Sequence, residues 1–451
     1  KDEVLFRIVS GDRALDFSPI QGGSIEDDLK RRDFTVNALG FNLCSESPWG
    51  RKDERVGGII DPVGGLHDIR LKTIRLISEH AILADPLRIL RAFRLAAVLG
   101  FEIAPQTLSV IKRRATLVAG SARERIRTEL LRMMEAERSF SYIEQMSRAK
   151  VLMKLIPELE PCRDCLLDDP GHDVFQHVMH TYEEIEVILN DYPNLWPEHA
   201  EPIRRYLEQG NRKVLLKLAA LLHDLGKPAT CRVDFHLGRK RVRFLTHEEK
   251  GAQIVKGICL RLRMSAQEGC YTELIVRNHL RPLLLFDARQ RGTLTTRGIV
   301  RFVRKYKDDV IGILLHSLAD QRAKTTHSLP AQQCRSFAGG TRGREAGGQF
   351  EEAFRAFLDE ILRRYFSDFR PKMIGSRLIT GKDLIEHFGL TPSELFGNLL
   401  HKVEEARLNR EIRTKEEAFK LVAGLLDGSA SGTRSATANE KPAVAEGSER
   451  I

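Results

Sequence analysis

The 451-residue chain contains 42% hydrophobic and 30% charged residues, a balance typical of soluble globular domains and unlike that of fibrous proteins. It contains no run of about 18 uncharged apolar residues, which argues against a membrane span. Its net charge of +10 suits a polyanionic partner such as nucleic acid, although basic proteins without such a partner are common. The length predicts two to four domains.

Cysteine content and the first residues indicate the compartment. Seven cysteines in so long a chain do not make a disulfide framework, and they fit a reducing cytoplasm. Cys162 and Cys165 form one CxxC pair, which leaves incidental thiols and a structural zinc site both open. The start, "KDEVLFRIVSGDR", has neither an initiator methionine nor a signal-peptide pattern. We therefore expect a cytoplasmic protein, and we expect this chain to be a fragment of a longer one.

The first predicted elements are a hairpin and a capped helix. Two β-rich runs, "VLFRIVS" and "ALDFSP", flank Gly11-Asp12 and predict a hairpin. Helical periodicity dominates after Ser24, which stands where a helix cap is expected. A loop with Asp61-Pro62 and Gly64-Gly65 precedes the next helical stretch.

The helix predicted over "DPLRILRAFRLAAVLGF" has start and stop signals. Asp85 stands at the expected N-cap, Pro86 at the first helical position and Gly100 at the C-terminal cap. Helices are predicted to continue from about 150 to 325, including an apolar helix that carries "LLHDLGK" and ends at Gly226. A Gly-rich polar linker and a last helical module follow.

The charged stretch "EDDLKRRDFTVNA", residues 26–38, admits two interpretations. The i, i+4 pairs Asp27–Arg31 and Asp28–Arg32 predict a solvated helix face, each pair contributing only about a few tenths of a kcal/mol. Arginines near a carboxylate also bind triphosphate oxygens and a ribose hydroxyl. Spacing alone leaves both interpretations open.

A second pair of charged residues fits the pairing edges of nucleotide bases. C and A each show an amine donor beside a ring-nitrogen acceptor, whereas U and G show the reverse. A fixed carboxylate beside a fixed guanidinium therefore suits C and A and opposes U and G. Asp85 and Arg88, at i and i+3, supply such a pair. The alternative is that Asp85 only caps the helix and Arg88 only pairs with it.

A series of histidines and aspartates in the helical region predicts a metal site. A buried His-Asp dipeptide is costly unless it is paired or bound to a metal ion. Imidazole and carboxylate ligands from several helices suit a divalent transition metal or Mg²⁺, and such an ion activates water for attack on a phosphate ester. The series comprises His177, His223, Asp224, His247, His279 and Asp320.

Three neighbours of this series have open roles. His172 and His180 lie near His177 in sequence and compete with it as ligands. Lys227 either meets a phosphate group or only complements a helix dipole. A single histidine of this kind would more often be a core or surface residue, so the prediction depends on the ordered series.

Several ordered motifs resemble the class II tRNA nucleotidyltransferase and poly(A) polymerase family. They are "IEDDLKRRDFTVNAL", "DPVGGLHDI", "DPLRILRAFRLAAVLGF" and "ERIRTELLRM". The stretch "RLITGKDLIEHFGLTPSELFGNLLHKVEEARLNREIRTKEEAFKLV" resembles the tail module of many bacterial members. The resemblance covers about residues 14–425, and motifs in this order are far more specific than any one of them.

The resemblance implies a template-independent enzyme that adds C, A or both to RNA 3′ ends, usually of tRNA, from CTP and ATP with Mg²⁺. Carried over by position, Arg32 and Asp33 would contact the ribose and phosphates, with Asn37 assisting. Asp85 and Arg88 would read the base. The helix that carries them would be braced by two further residues, Arg125 and Glu129.

Two departures from the family pattern affect these expectations. Ala84 stands where the family often has Glu, which leaves the nucleotide preference open. The family's glycine-rich head motif and paired catalytic aspartates belong upstream of "RRDFTVNA", and this chain shows no such segment. Asp16 is a candidate for the third acidic position, or an exposed strand residue. We therefore expect an N-terminally truncated copy that binds nucleotide weakly and transfers poorly or not at all.

The histidine series is similar to the HD phosphohydrolase superfamily, an all-α fold that follows the nucleotidyltransferase core in some bacterial members. This similarity implies that His177, His223, Asp224 and Asp320 bind a divalent ion of unknown identity. His247 and His279 would bind a second ion or the phosphate.

The predicted fold is mainly α, with a remnant of an α/β nucleotidyltransferase head followed by a helical neck, an HD-type helical body and a helical tail. The predicted segments are the partial head 1–65, the nucleotide-recognition and RNA-binding neck 66–150, the HD-type domain 151–325, the linker 326–349, the C-terminal module 350–427 and a disordered tail 428–451.

The sequence leaves three functions open. The first is a tRNA nucleotidyltransferase with an appended HD domain, and the second an HD phosphohydrolase whose head only binds RNA. The third is a non-catalytic RNA-binding protein. The expected partners are tRNA or another RNA 3′ end and CTP or ATP, with no membrane. The residues leave open which nucleotides are added, tRNA against other RNA, and the oligomeric state.

Overall fold

The structure is a computed structural model. It describes residues 6–11, 13–41, 58–167, 173–236, 239–326, 342–370, 378–391, 394–408 and 411–431. The chain divides into two compact units, Lys1–Leu283 with Ile311–Arg355 and Leu284–Val310 with Ala356–Ile451. The predicted nucleotide-binding residues and metal ligands all lie in the first unit.

The strands of the described segments form short two-stranded sheets, one of them parallel. They are β1 (Phe6–Ser10) with β2 (Arg13–Phe17), β3 (Gly40–Phe41) with β4 (Ile59–Ile60), the parallel pair β5 (Thr73–Ile74) with β6 (Glu102–Ile103), and β7 (Cys231–His236) with β8 (Arg239–Phe244). The first pair is the predicted hairpin, and Gly11 supplies the positive φ of 61° at its turn.

Helices make up most of the described chain, which confirms the mainly α prediction. They are α1 (Ile25–Lys30), α2 (Gly65–Arg70), α3 (Glu79–Ala84), α4 (Arg88–Leu99), α5 (Pro105–Arg114), α6 (Arg123–Met134), α7 (Phe140–Arg148), α8 (Val151–Leu155), α9 (Val174–Leu195), α10 (Ala200–Leu207), α11 (Arg212–Leu222), α12 (Lys227–Thr230), α13 (His247–Arg261), α14 (Ala266–Asn278), α15 (Arg281–Gln290), α16 (Thr296–Tyr306), α17 (Val310–Thr326), α18 (Arg342–Arg364), α19 (Gly381–Phe388), α20 (Glu394–Leu408) and α21 (Lys415–Ser431). No described helix combines the length and the apolar character needed to cross a bilayer.

Helix caps agree with the predictions at some ends and differ at others. Ser24 caps α1 by accepting from the amide of Asp27 (3.2 Å), and Gly100 ends α4 with φ 65°. The prediction that Asp85 caps α4 is wrong, because α4 begins at Arg88 with Leu87 as its N-cap. Asp85 instead ends α3, although its side chain accepts from the Leu87 amide (3.2 Å).

Two further predictions about the helical region need correction. The helix before the His-Asp pair ends at Leu222 rather than Gly226, and a turn carries both residues. The region predicted as continuous helix also contains the ribbon of β7 and β8. Residues 327–341 of the predicted linker and 432–451 of the predicted tail lie outside the described residues.

A buried polar network joins α9, α11 and the turn before α7. The Lys217 ammonium is fully buried and lies 2.7 Å from Glu186 Oε1. It also donates to the Ala136 carbonyl (2.7 Å), while the Ser139 amide and hydroxyl both donate to Glu186 (2.7 Å each). The buried charges are therefore paired and hydrogen-bonded, the condition under which burial is tolerated.

Replacing Lys217 with methionine is expected to destabilise the fold by about 3–5 kcal/mol, because it leaves the Glu186 carboxylate buried without its cationic partner. Chemical denaturation monitored by circular dichroism measures the change. Lys213→Met, which removes a more exposed charge from the same helix, is the control and should cost below about 1 kcal/mol. Equal effects of the two variants would contradict this assignment.

The second unit has its own small core. Apolar side chains from α19, α20 and α21 pack together there, including Leu384, Leu399 and Val422. Thr380 and Asp383 form a capping box that starts α19. The tail motif recognised in the sequence thus forms a compact helical module.

Candidate functional site

The predicted metal ligands come together from five segments of the first unit. His177 lies on α9, His223 and Asp224 follow α11, and His247 begins α13. The other two are His279, which ends α14, and Asp320, on α17. All six side chains are buried.

The first group surrounds one oxygen of Asp224. His223 Nε2 lies 3.1 Å and His177 Nε2 3.4 Å from Asp224 Oδ2, and the two nitrogens are 3.3 Å apart. Asp320 Oδ1 lies 2.9 Å from His177 Nε2 and 3.6 Å from His223 Nε2. The four predicted ligands of one ion therefore converge.

The second group shares Asp224 through its other oxygen. His247 Nε2 lies 3.3 Å and His279 Nε2 3.9 Å from Asp224 Oδ1. Each group offers three ligand atoms that lie within 4.8 Å of one another. Asp224 stands between the two groups and can serve both.

Hydrogen bonds to backbone carbonyls orient three of the imidazoles. His223 Nδ1 donates to the Ala220 carbonyl (2.9 Å), and His247 and His279 make the same contact with Phe244 and Val276 (2.7 Å each). Because a carbonyl only accepts, Nδ1 of each ring carries a proton, and in the neutral tautomer Nε2, which faces Asp224, is left as the ligand atom. This is the tautomer that a metal ligand requires.

Unpartnered buried atoms on the second side of Asp224 show that the group fits a cation. Asp224 Oδ1 and the Nε2 of His247 are buried without a hydrogen-bond partner, whereas Asp224 Oδ2 has the Lys227 ammonium beside it. Lone pairs facing carboxylate oxygens repel unless a positive charge lies between them. The donor set of imidazoles and carboxylates suits a divalent transition metal.

The electrostatics of the cluster favour positive charge at its centre. Burial opposes ionisation of Asp224, but His223 and Lys227 outweigh it and hold its pKa well below the usual range. Burial also opposes the charged form of His223, yet Asp224 raises its pKa. Burial lowers the pKa of His177 to about 4, so this ring is neutral and able to bind a metal at neutral pH.

Two lysines complete the charge balance around the carboxylates. Lys227 is buried and its Nζ lies 2.6 Å from Asp224 Oδ2, while Lys324 Nζ lies 2.9 Å from Asp320 Oδ2. Gln321 also donates to Asp320 Oδ2 (2.8 Å). Lys227 is the first residue of the four-residue α12, and its ammonium pairs with Asp224.

The structure also places further residues whose roles the sequence did not settle. His316, which no motif indicated, is fully buried, and its ring centre lies 5.2 Å from that of His223. His180 lines a cavity of about 820 Å³ between α7, α8 and the start of α9, and it belongs to neither metal group. Cys162 and Cys165 are buried free thiols, and neither belongs to either group. His172 lies outside the described residues.

Two glycines let α13 approach the turn that carries the ligands. A Cβ on Gly226 would lie 2.0 Å from the His247 carbonyl oxygen and 2.6 Å from the Gly251 nitrogen. A Cβ on Gly251 would lie 3.2 Å from the His223 carbonyl oxygen. Gly226 thus allows His247 to reach Asp224.

The predicted ribose and phosphate residues lie beside α4. Asp33 is buried, and its Oδ1 accepts from Asn37 Nδ2 (3.1 Å) and from the Phe34 amide (2.9 Å). Its Oδ2 lies 3.1 Å from Arg91 of α4, a residue that no motif indicated. Arg32 pairs with Asp28 (3.2 Å), as the surface interpretation predicts. The other predicted pair, Asp27 with Arg31, is not formed in the described structure.

The side chains of the predicted base-reading residues do not pair with each other. Arg125 Nη2 donates to Asp85 Oδ2 (2.7 Å). Arg88 donates to the Ala81 carbonyl (3.2 Å), and its Nε is buried without a hydrogen-bond partner. Glu129, one turn after Arg125 on α6, accepts from Arg94 of α4 (2.5 Å). Two contacts from α6 therefore hold the end of α3 and the middle of α4.

Asp16 occupies an exposed position on β2. Arg7, opposite it on β1, donates to both of its oxygens (2.6 and 2.8 Å) and lowers its pKa. In the described part of the chain, neither group able to hold a metal ion includes Asp16. The described carboxylates therefore do not fit a two-ion transfer site around Asp16, and its catalytic role stays a prediction.

Comparison with known proteins gives the family. A poly(A) polymerase head domain model matches residues 7–75, a probable RNA- and SrmB-binding site of polymerase A matches 100–163, and an HD domain matches 174–298. The A-adding tRNA nucleotidyltransferase of Deinococcus radiodurans is 30% identical over 426 residues, which cover 92% of this chain and 83% of that protein. The chain belongs to the tRNA nucleotidyltransferase and poly(A) polymerase family.

A second relative and a solved structure add to this comparison. The CC-adding tRNA nucleotidyltransferase of Thermus thermophilus is 29% identical, with 92% of this chain and 80% of the relative covered. The solved structure of the Thermotoga maritima CCA-adding enzyme with tRNA shares the fold, with a TM-score of 0.55, 17% identity, and 94% and 81% of the two chains covered. The nucleotidyltransferase and HD families typically depend on divalent metal ions.

Proposed function

We propose that this protein adds C, A or both to the 3′ ends of tRNA from CTP and ATP, and that its HD site hydrolyses phosphate esters at RNA ends. The transfer proposal rests on Asp85, which ends α3, and Arg88, which begins α4. The Asp85 carboxylate is fixed by Arg125, and the Arg88 guanidinium keeps an unpartnered buried donor. Selection of C and A over U and G requires a fixed hydrogen-bond acceptor and a donor that still has an N–H available for the base.

The other nucleotide-binding roles are proposed from the positions of their side chains. Arg32, Asp33 and Asn37 are proposed to serve the ribose and phosphates, and the contacts of Asp33 with Asn37 and Arg91, which hold its carboxylate beside α4, support this. Arg125 braces the Asp85 carboxylate and Glu129 braces α4, and neither is proposed to react. The relatives from Deinococcus and Thermus are named as enzymes that add A and CC, respectively. Both A and C are bases that the pair of Asp85 and Arg88 would accept.

Asp85→Asn is expected to relax the choice of base. The amide offers a donor as well as an acceptor, so U and G no longer meet only an opposing group, and the ratio of UTP to CTP dissociation constants should fall at least about tenfold. Isothermal titration with each nucleotide measures this ratio. Glu144→Gln, which changes an exposed carboxylate paired with Arg148, should leave it unchanged. An Asp85→Asn variant with wild-type discrimination would exclude Asp85 as a base reader.

The 451-residue chain by itself is proposed to transfer nucleotides poorly. Asp16, the candidate for the family's third acidic position, is engaged by Arg7, and it belongs to neither of the metal groups found among the described residues. Mg²⁺-dependent incorporation of CMP or AMP into tRNA lacking its terminal nucleotides tests this. Robust incorporation would overturn it.

The HD site is proposed to hold two divalent ions, or one ion and a substrate phosphate. His177, His223, Asp224 and Asp320 would hold the first ion, and His247 and His279 would share Asp224 for the second ligand. When bound, such an ion supplies a Lewis acid and an activated water for phosphate-ester hydrolysis. The observation that carries this proposal is the convergence of imidazole nitrogens on both oxygens of Asp224, with Asp224 Oδ1 and His247 Nε2 buried without a hydrogen-bond partner.

Hydrolysis of 2′,3′-cyclic AMP, with and without chelator, tests the HD proposal. Activity that is lost on chelation and restored by a divalent ion supports it. A protein that binds RNA but neither metal nor phosphate ester would instead be a non-catalytic family member, the third function that the sequence leaves open.

The domain boundaries are proposed from the same comparisons. The matched segments 7–75, 100–163 and 174–298 support the order of head, neck and HD domain, with a C-terminal module over 350–427. A reducing cytoplasm is the proposed compartment, since the described cysteines are free thiols. Limited proteolysis with mass spectrometry checks the boundaries.

A further inference from the structure

The β7–β8 ribbon connects two segments of the metal cluster. It lies between Asp224 and His247 in the chain, and its antiparallel register runs from Cys231 opposite Phe244 to His236 opposite Arg239. Neither the transfer reaction nor the binding of metal ions accounts for it. Its position nevertheless ties it to the proposed HD site.

The base of the ribbon is built on residues of that site. The last residue of β8, Phe244, accepts the Nδ1 proton of His247 through its carbonyl (2.7 Å). Lys227, which pairs with Asp224, places its ammonium 5.3 Å from the centre of the Phe244 ring. A ligand held at the base of the ribbon is therefore beside the metal cluster.

The ribbon carries a strong excess of positive charge. Its strands read Cys-Arg-Val-Asp-Phe-His and Arg-Lys-Arg-Val-Arg-Phe, which gives five basic residues against one acidic residue. Arg232 and Arg243 lie directly opposite each other in the register, and both are exposed. Like charges at opposed positions destabilise a strand pair. The carboxylate of Asp234, 3.5 Å from Arg243 Nε, offsets only part of this repulsion.

An anion between the two arginines would turn this repulsion into attraction. Each arginine is one residue from the base of the ribbon, and a strand advances about 3.3 Å per residue. Two exposed cations at the base of the ribbon, beside a phosphate-ester site, match neighbouring phosphates of a nucleic acid backbone.

We propose that the β7–β8 ribbon binds the phosphate backbone of an RNA strand and guides its 3′ end to the HD metal cluster. Arg232 and Arg243 hold the phosphates nearest the reacting end. The inference rests on the proposed phosphohydrolase function, and it assigns that site a polymeric RNA substrate rather than a free nucleotide.

The test compares a polymeric with a small substrate in the full chain. Arg232→Ala/Arg243→Ala should lower kcat/KM at least about tenfold on an RNA oligonucleotide ending in a 2′,3′-cyclic phosphate, mainly through KM. Hydrolysis of bis(p-nitrophenyl) phosphate should change less than about twofold, because it lacks the backbone. Arg204→Ala/Arg205→Ala removes two exposed charges from α10 and should leave both activities unchanged.

Binding measurements separate this inference from the phosphohydrolase proposal. In the ribbon double variant, affinity for a 3′-hydroxyl RNA oligonucleotide should fall, and the slope of log Kd against log salt should decrease by about 1.4, as expected for two lost phosphate contacts on a single strand. Asp234→Asn should raise RNA affinity by freeing Arg243.

If wild-type protein hydrolyses neither substrate, the phosphohydrolase proposal fails, while the RNA affinities of wild type and variants still decide the role of the ribbon. Equal RNA affinity and salt slope in wild type and double variant would overturn the inference and indicate another acidic partner.

Discussion

Asp224→Asn is expected to abolish metal binding and phosphate-ester hydrolysis together. One oxygen of Asp224 faces His177 and His223, and the other faces His247 and His279. The amide keeps the shape of the side chain but removes the charge and one of the two acceptors. Both groups therefore lose their shared ligand, and we expect metal affinity to fall by more than about 100-fold.

Metal content by plasma mass spectrometry and the rise in Tm on adding Mn²⁺ measure this effect independently of activity. Asp164→Asn, which changes an exposed carboxylate outside both groups, should keep both readouts at the wild-type level. Full metal content in the Asp224→Asn protein would show that the cluster is a packed histidine core and not a metal centre.

Gly226→Ala is expected to have a large effect through shape alone. The added methyl group would lie 2.0 Å from the backbone oxygen of His247, which cannot move without shifting α13. Overpacking of this kind costs about 1–3 kcal/mol or more, and we expect the upper part of that range because the contact is with backbone. His247 is the first residue of α13, so metal affinity should fall as well.

Gly257→Ala, within α13, is the matched control for this substitution. Nothing lies within 4 Å of a Cβ at Gly257, so alanine should stabilise the protein by up to about 1 kcal/mol through its helix propensity. Urea denaturation of both variants, with metal titration, gives the comparison. A Gly226→Ala protein as stable as the wild type would show that α13 does not pack closely against the His-Asp turn.

The histidine and aspartate cluster could be predicted from the sequence because its chemistry is local and unusual. His223 and Asp224 are adjacent in an apolar stretch, and a buried His-Asp pair needs partners wherever the chain folds. The remaining ligands followed from their order along the chain. Whether they converge was a matter of tertiary structure, and the fold brings all six together.

Other features could not be predicted because they depend on packing between distant segments. The sequence pattern around Arg91 and Arg94 is that of an amphipathic helix face. In the structure, Arg91 pairs with Asp33 and Arg94 pairs with Glu129. His316 stands in an apolar run and shows no pattern that links it to His223. The β7–β8 ribbon did have a signal, since its arginines alternate with apolar residues, but the surrounding helical periodicity masked it.

The cap of α4 shows a different limit. Asp85 followed by proline is a strong start signal, and the side chain does accept a backbone proton from Leu87. The helix nevertheless begins at Arg88, and Asp85 has an extended conformation with φ −142°. One oxygen of Asp85 therefore accepts from the Leu87 amide just before α4, and the other accepts from Arg125.

Anomalous diffraction from crystals soaked in Mn²⁺ tests the central claim, that Asp224 is shared by two metal groups, most directly. We expect two peaks on opposite sides of the Asp224 carboxylate, one among His177, His223 and Asp320 and the other beside His247 and His279. A single peak on the first side with a bound phosphate on the second would fit the one-ion form. Crystals with no peak at Asp224 would contradict the claim.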